Sequence, residues 1–453
     1  MRGRVASALV VLLLAAAARG QDACLSGDST LGDQRALAAL RTSSDTDCPC
    51  ASVTGALGRR RYDRCVRAEI ASALHAGTLR SACLQTAAQS LYRSTVCGTN
   101  RVACGRYALT DYASSCRLAA PAGPNQCEAR TQLIENPCSA QTRCADVVEW
   151  TAGTCIDPRQ PGPYGVGVRT VQMTKDSVVM PGTPRVLDTV VWYPTAPGAG
   201  PVDAVLAGVV DAPLDNSGGP YPLLLFSHGS CGFPAQSTFL TALLASYGFV
   251  VAAPPHPGNT IYDFPSCGTT NAQLASAQER PNDIIFATDQ MLAATGDSTS
   301  PFFGAIDPQR VGMSGHSFGG LTTYLVVTRD PRYRIAVPMA PAVFNIPMVT
   351  IPSLTMLGQI DTVVNDTGIR AAYDAASAPK VKVEIAHAGH YAFSDGCFPS
   401  SDCNPPVTLT QDEAHAIVRR WVVPFVQRYL AGDLRYEPFL DSVPPGVDVA
   451  QSR

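Results

Sequence analysis

The spacing of apolar residues changes character once along the chain, near residue 157. Before that point they recur at three- and four-residue intervals, as at Val66, Ile70 and Leu74. Asp33–Arg41, Tyr62–Ala76 and Leu79–Tyr92 are therefore predicted as helices, with Gly77 as a stop. After it, short apolar runs alternate with helical stretches. Val166–Met173 and Val186–Tyr193 are predicted as opening strands. Leu223–Ser227, Phe249–Ala253, Arg310–Ser314, Arg334–Met339, Ser353–Leu357 and Val381–Ile385 are predicted as the strands that follow. Gln236–Tyr247, Pro281–Leu292 and Leu321–Val327 read as intervening helices, with Pro281 at a first-turn position where its missing N–H costs nothing. Thr410-Gln-Asp-Glu413 is a capping box that opens a last helix toward Leu430, kinked at Pro424. Pro201–Pro220, rich in Gly, Pro and Asp, reads as a surface loop. Strands separated by helices imply an α/β fold, a mostly parallel sheet covered by helices on both faces.

Cysteine usage marks the same boundary. Of 16 cysteines, only Cys231, Cys267, Cys397 and Cys403 follow Ile156. Residues 21–156 are expected to form a small, mainly helical module stapled by disulfides, because their apolar content is low for a self-sufficient core. Asp157–Pro163 reads as a linker and 164–453 as the α/β domain. Met1–Gly20 has Arg2 and Arg4, an apolar run from Ala6 to Ala18 and a small-x-small exit at Ala18-Arg-Gly20. It reads as a signal peptide, too short to span a bilayer, so the protein is expected to be secreted. An even number of cysteines fits full pairing in that oxidising destination. Zinc at Cys48-Pro-Cys50 is a weaker reading, since His75 is the one histidine nearby and exported thiols oxidise. No metal is expected. A net charge of −3 without a basic run leaves no footprint for nucleic acid. Sequence does not name a ligand for the amino-terminal module.

The chemistry centres on Gly315-His-Ser-Phe-Gly319, which follows a strand-like run and precedes an apolar helix. That is the Gly-x-Ser-x-Gly nucleophile elbow, whose glycines make room around a strained serine. Ser317 is the expected nucleophile, and it requires a base oriented by an acid. Asp361 lies just past strand Ser353–Leu357, and His390 past strand Val381–Ile385, which reproduces the Ser, Asp, His order of this fold. His390 is preferred to His387 because Gly389 frees the loop to turn inward, and His415 reads as a partly exposed bystander. Asp361 is preferred to Asp366 and Asp374, which read as a helix cap and a solvated face. Acyl transfer also needs two N–H donors for the oxyanion. The amides of Phe318 and Ser230 are the candidates, while His228 and Gly229 shape the second donor's loop. Cys397 and Cys403 flank a short segment and are expected to pair, leaving Cys231 and Cys267 to tie the oxyanion loop to its neighbour.

Taken together, Tyr221–Gly229, Val251–Thr260, Arg280-Pro-Asn-Asp283, Gly312–Gly320, Gly358–Asp361 and Ala388–Phe393 form an ordered set. The set resembles the bacterial dienelactone-hydrolase-like proteins related to platelet-activating-factor acetylhydrolases. The resemblance covers roughly Tyr164–Leu430 and implies an α/β-hydrolase fold, a triad at Ser317, Asp361 and His390, and ester hydrolysis without a cofactor. Serine, where dienelactone hydrolase proper has cysteine, favours ordinary carboxylic esters over lactones. The family's strand-end Asp before His256-Pro-Gly-Asn-Thr260 is Pro255 here. Secreted polyester and cutin hydrolases share the fold and a similar elbow, so the expected partner is a small-molecule, lipid or polymeric ester. A reading of another class, a surface-binding protein on a non-catalytic hydrolase scaffold, rests on the amino-terminal module alone.

Overall fold

A computed structural model describes residues 24, 30–50, 55–88, 91–92, 97, 102–106, 115–119, 131–134, 158–343, 348–397, 408–441 and 447–452. The predicted signal peptide and Cys403 lie outside the described residues. The chain divides into two compact units, one ending at Ile156 and the next beginning at Asp157.

The amino-terminal unit has helices α1 (Thr30–Asp47), α2 (Gly55–His75) and the short α3 (Leu84–Ala88). Its small core is Leu40, Tyr62, Val66, Ile70, Leu79 and Leu91 packed against half-cystines. Disulfides join Cys24 to Cys83, Cys48 to Cys65 and Cys50 to Cys97. Cross-links compensate here for a core too small to overcome chain entropy alone. Three antiparallel strands, β1 (Val102–Arg106), β2 (Ser115–Ala119) and β3 (Thr131–Ile134), add to the helices that periodicity predicts.

The second unit is built on a ten-stranded sheet. Its strands are β4 (Gly165–Asp176), β5 (Pro184–Thr195), β6 (Val209–Val210), β7 (Tyr221–Ser227), β8 (Val250–Ala253), β9 (Ile306–His316), β10 (Tyr333–Met339), β11 (Ser353–Gly358), β12 (Lys380–Ile385) and β13 (Val447–Ser452). Their spatial order is 13-12-11-10-9-7-8-5-4-6. From β12 to β8 every pairing is parallel, while β13 and the β5–β4 hairpin add antiparallel margins. The helices are α4 (Thr238–Ser246), α5 (Thr270–Gly296), α6 (Phe318–Val327), α7 (Asp366–Ala375), α8 (Gln411–Val426) and α9 (Glu437–Asp441). Every residue of β7, β8 and β11 is buried, as expected of strands covered on both faces, whereas marginal β4 alternates. Leu223, Leu225, Val250, Ile284, Ala287, Met291, Val311 and Met313 share one core.

One expectation needs correction. Pro281 does not open a helix but lies buried inside the 27-residue α5, which begins under a Thr269 cap. A proline breaks the hydrogen-bond ladder at one point only, and packing on both sides carries the helix through it. The segment after Pro424 continues as a π-helical turn, Gln427–Ala431, closed by left-handed Gly432, before the chain returns as β13.

The junction of β9 and α6 is the tightest point of the sheet. A Cβ on Gly319 would lie 1.8 Å from the Ser227 carbonyl oxygen, and one on Gly315 2.3 Å from the Gly319 oxygen. Gly319→Ala is therefore expected to cost about 3 kcal/mol or more through overpacking against backbone. Urea denaturation checks this; a wild-type midpoint would contradict the close approach of α6 to β7.

Candidate active site

Ser317 stands where β9 meets α6 with φ 59° and ψ −118°, a region rarely open to a side-chain-bearing residue. Its backbone is held on both sides. The Ser317 N–H donates to Met339 O at 2.9 Å, and its carbonyl accepts from Gly320, Leu321 and Ala342 amides. The strain lifts the hydroxyl off the strand end toward the loops after β11 and β12.

Those two loops are laced together. Gln359 N–H donates to Ile385 O and Ile360 N–H to Ala388 O, each at 3.0 Å. Gly358 permits the approach, since a Cβ there would lie 2.4 Å from Ala388 O. The lacing sets the two candidates against each other: Asp361 Oδ2 lies 2.8 Å from His390 Nδ1. Asp361 Oδ1 accepts the amides of Val363 and Val364, at 2.8 and 3.0 Å. A carboxylate has no proton to give, so Nδ1 carries the hydrogen and Nε2 is left to accept from Ser317 Oγ, 2.8 Å away. The side chains of His390 and Asp361 are almost wholly buried. His387 is left out, half-buried with its carbonyl accepting from Leu409 N–H. Asp366 pairs with Arg370, and Asn365 rather than Asp366 caps α7. His415 is not the partly exposed residue expected. It is buried, stacked on Phe239 at 3.6 Å, and donates through Nε2 to Ser394 O.

Of the two oxyanion candidates, the Phe318 amide is the first of α6, where helical N–H groups have no intrahelical acceptor. The other lies in a tight turn closed by Gly232 N–H to Gly229 O at 3.1 Å. Gly229 faces the nucleophile, since its Cβ would contact the Ser317 Cβ at 3.4 Å. The Gly229 amide is already donated to Gln236 Oε1, so the amide of exposed Ser230 is the next one along. Cys231 in this turn is bonded to Cys267. Cys397 is also disulfide-bonded, and its expected partner Cys403 lies outside the described residues.

Beneath the turn lies a polar floor that sequence reasoning left without a role. Arg280 is fully buried and donates to the carbonyls of His228 and Gly229, to Asn259 Oδ1 and to the hydroxyls of Ser227 and Ser276. Its guanidinium also lies 4.6 Å from the Phe318 ring. Burial brings it down to about 9, still charged at neutral pH. His256 bonds Ser227 Oγ through Nε2 and Asp283 Oδ2 through Nδ1, at 2.9 and 3.1 Å. This second serine–histidine–aspartate string is sealed from solvent, so its serine meets no substrate. Asp283 is in turn paired with Arg185 and Lys175. One signal was available in sequence: Ser276, Arg280 and Asp283 continue the inward face of Ile284, Ala287 and Met291 at helical spacing.

Fold and site together define an α/β-hydrolase acting on carboxylic esters with a serine at the elbow. The chain belongs to the PET hydrolase-like family, whose model matches residues 202–452. Cutinase est2 of Thermobifida alba is 26% identical over 243 residues, 52% of this chain and 69% of that protein. Bis(hydroxyethyl) terephthalate hydrolase of Streptomyces coelicolor is 24% identical over 254 residues, covering 54% and 69% of the two chains. Platelet-activating factor acetylhydrolase of Cavia porcellus is 22% identical over 270 residues, covering 50% of this chain and 61% of that protein. In structure, a ferulic acid esterase from Streptomyces cinnamoneus matches with a TM-score of 0.53 at 22% identity, over 64% of this chain and 98% of that one.

The site's histidines predict its response to acid. Desolvation, then the Arg280 charge, holds His228 and His256 well below their ordinary value, and desolvation, then His390, does the same for His316. Desolvation also lowers His415. The fold thus refuses protons that the unfolded chain accepts. Stability is full above the ordinary value of 6.5 and declines below it. The decline is about 1.4 kcal/mol per pH unit for each histidine that stays neutral. Urea midpoints at about pH 7.5 and 5.5 measure it, and an equal midpoint would contradict the buried, neutral assignment.

Proposed function

We propose that this protein is an exported serine hydrolase that cleaves extended, apolar carboxylic esters of the cutin or polyester kind. The observation that carries the reading is the unbroken hydrogen-bond chain Ser317–His390–Asp361 at the elbow of a PET hydrolase-like fold. Ser317 Oγ attacks the acyl carbon as His390 Nε2 takes its proton. The carbonyl oxygen becomes an oxyanion facing the amides of Phe318 and Ser230. Collapse expels the alkoxide, which recovers the proton from Nε2. Water then attacks the acyl-enzyme by the same exchange, releasing the acid. Asp361 holds the imidazole in the required tautomer throughout.

The preference for apolar, extended esters is supported by the side chains around this centre. Ile261 donates its amide to Gly232 of the oxyanion turn, and the segment it begins carries Tyr262 and Phe264 at 90% and 70% exposure. Ile360 and Val363 are exposed on either side of Asp361. Apolar groups held in water on the segments next to the oxyanion turn and to Asp361 favour substrates that present apolar surface. The names of the cutinase and terephthalate-ester hydrolase relatives point the same way. Export is supported by the leader-like first twenty residues and by the disulfides. The amino-terminal unit is read as a separate disulfide-stapled domain, accessory to catalysis. An enzyme lacking the residues before Asp157 that lost all turnover on a soluble ester would overturn that part.

Ser317→Ala is expected to lower kcat by about 10⁴-fold or more and to abolish fluorophosphonate labelling. Asp361→Asn should cost about 10⁴-fold by presenting the wrong tautomer. Nitrophenyl esters of increasing chain length, a polyester film and a phospholipid serve as substrates. Retained turnover in Ser317→Ala sinks the mechanism, and phospholipid preferred over film sinks the substrate class. Replacing Cys231 and Cys267 together by serine should lower stability by about 2–4 kcal/mol. Turnover should fall as well at temperatures where the variant stays folded, because the oxyanion turn is freed. Unchanged turnover would show that the turn is held by other means.

A further inference from the structure

One residue of the elbow motif has no part in the chemistry above. His316 sits immediately before the nucleophile, buried, with both ring nitrogens bonded. Gln236 Nε2 lies 3.0 Å from His316 Nδ1, and His316 Nε2 lies 3.0 Å from the His390 carbonyl oxygen. The other end of the Gln236 amide, Oε1, accepts the Gly229 N–H at 2.9 Å.

Both ends of this chain have fixed polarity, so every atom between them is determined. A backbone amide only donates, so Oε1 of Gln236 must face Gly229 and the NH₂ must face His316. The NH₂ only donates, so Nδ1 of His316 carries no proton. The His390 carbonyl only accepts, so Nε2 must carry one. Donation runs in one direction, from Gly229 through Gln236 and His316 to His390. A charged His316 would set an N–H against the Gln236 NH₂. Burial, and then the adjacent His390 ring at 4.7 Å, hold His316 well below its ordinary value, in keeping with that requirement. Tyr391 is the other titratable ring beside it, at 6.4 Å.

We propose that Gln236 and His316 are positioning residues, a directional relay that fixes the oxyanion turn and the catalytic base relative to each other on either side of Ser317. The proposal rests on the catalytic reading of Ser317, His390 and the Ser230 amide given above. One end of the relay holds the peptide next to the Ser230 amide, and the other holds the carbonyl of the residue whose imidazole bonds Ser317. Gln236 is also tied to the base loop through its backbone, its carbonyl accepting from Asp395 N–H at 2.7 Å. Asp395 then bonds the Thr238 and Phe239 amides, clamping the start of α4 to the same loop. Attack requires nucleophile, base and oxyanion donors in register, and a shift near 1 Å is worth about a hundredfold in rate.

Two measurements test this on the full-length protein. The first is side-chain ¹⁵N NMR of the histidine-labelled wild type, with the His316 signals identified by their loss in His316→Phe. The Nε2–H tautomer, unprotonated at Nδ1 at neutral pH, is expected; an Nδ1–H tautomer or an imidazolium overturns the relay. The second is a comparison of kcat and KM on a soluble nitrophenyl ester. His316→Phe keeps an aromatic ring but neither hydrogen bond, and is expected to lower kcat about ten- to a hundredfold while KM changes less than about twofold. His316→Gln can still accept at Oε1 and donate at Nε2, and should recover most of kcat. Wild-type kcat in His316→Phe, or a His316→Gln as impaired as His316→Phe at wild-type thermal stability, overturns the positioning role. Absence of ester turnover in the wild type would instead sink the hydrolase reading and the positioning role with it, while the NMR result still decides the hydrogen-bond polarity.

Discussion

A single backbone conformation organises this domain. Ser317 adopts φ 59°, and the chain must hold it there against a cost of about 1–3 kcal/mol. The restraint is a set of backbone bonds from three directions: Met339 O from β10, the first turn of α6, and Ala342 N–H from the loop beyond β10. The first turn of α6 also comes down close to β7, and that approach leaves no room for a side chain at Gly319. The parallel register of β7, β9 and β10 then delivers the neighbouring loops to the same end of the sheet. The strained serine and the sheet order express one geometric demand at two scales.

The turn that carries Ser230, the proposed oxyanion donor, meets a different demand, since loops are ordinarily the mobile part of such a fold. Here a buried cation sits beneath it. Arg280 spends its N–H groups on carbonyls and neutral side-chain oxygens, with no carboxylate directly bonded among the partners described. Drawing the carbonyls of His228 and Gly229 inward turns the following amides the other way, because the two groups of a peptide point in opposite senses. A charge in the floor thereby leaves N–H groups on the roof. His256 and Asp283 complete the floor, and Asp283 carries the compensating negative charge, itself matched by Arg185 and Lys175. Removing one member of such a network strands the others, which makes it cooperative.

Much of this was legible in the sequence, and the boundary of legibility has a physical cause. Strands β7 to β12, the elbow, and the loops bearing Asp361 and His390 announce themselves through local patterns: apolar runs, a five-residue motif, a residue just past a strand end. The triad candidates came from order along the chain, which this fold preserves. Arg280, Asp283, Gln236, His316 and His415 act through contacts distant in sequence, and a buried polar side chain resembles an exposed one until its partners are known. Pro281 compounded this by reading as a helix start, which cut Arg280 away from the face it shares with Ile284 and Ala287. The strands β1 to β3 and β13 are short and lack a run long enough to separate them from turns.

The two kinds of restraint on the oxyanion turn are complementary. Arg280 fixes its peptides from the carbonyl side and Gln236 from the amide side, through hydrogen bonds whose strength depends on exclusion of water. The turn is also held by the Cys231–Cys267 cross-link, a covalent restraint that is indifferent to solvent. Asn259 joins the two, accepting from Arg280 and donating to the carbonyl of Cys267. The exposed apolar residues Tyr262 and Phe264 lie in the segment between Asn259 and Cys267 and are therefore carried on a pinned support. A substrate surface pressing on those side chains meets a loop already ordered, so contact there is not offset by loop-ordering entropy. The same pinning that holds the Ser230 turn thus holds the exposed side chains of Tyr262 and Phe264 in place, which gives the substrate class proposed above its physical basis.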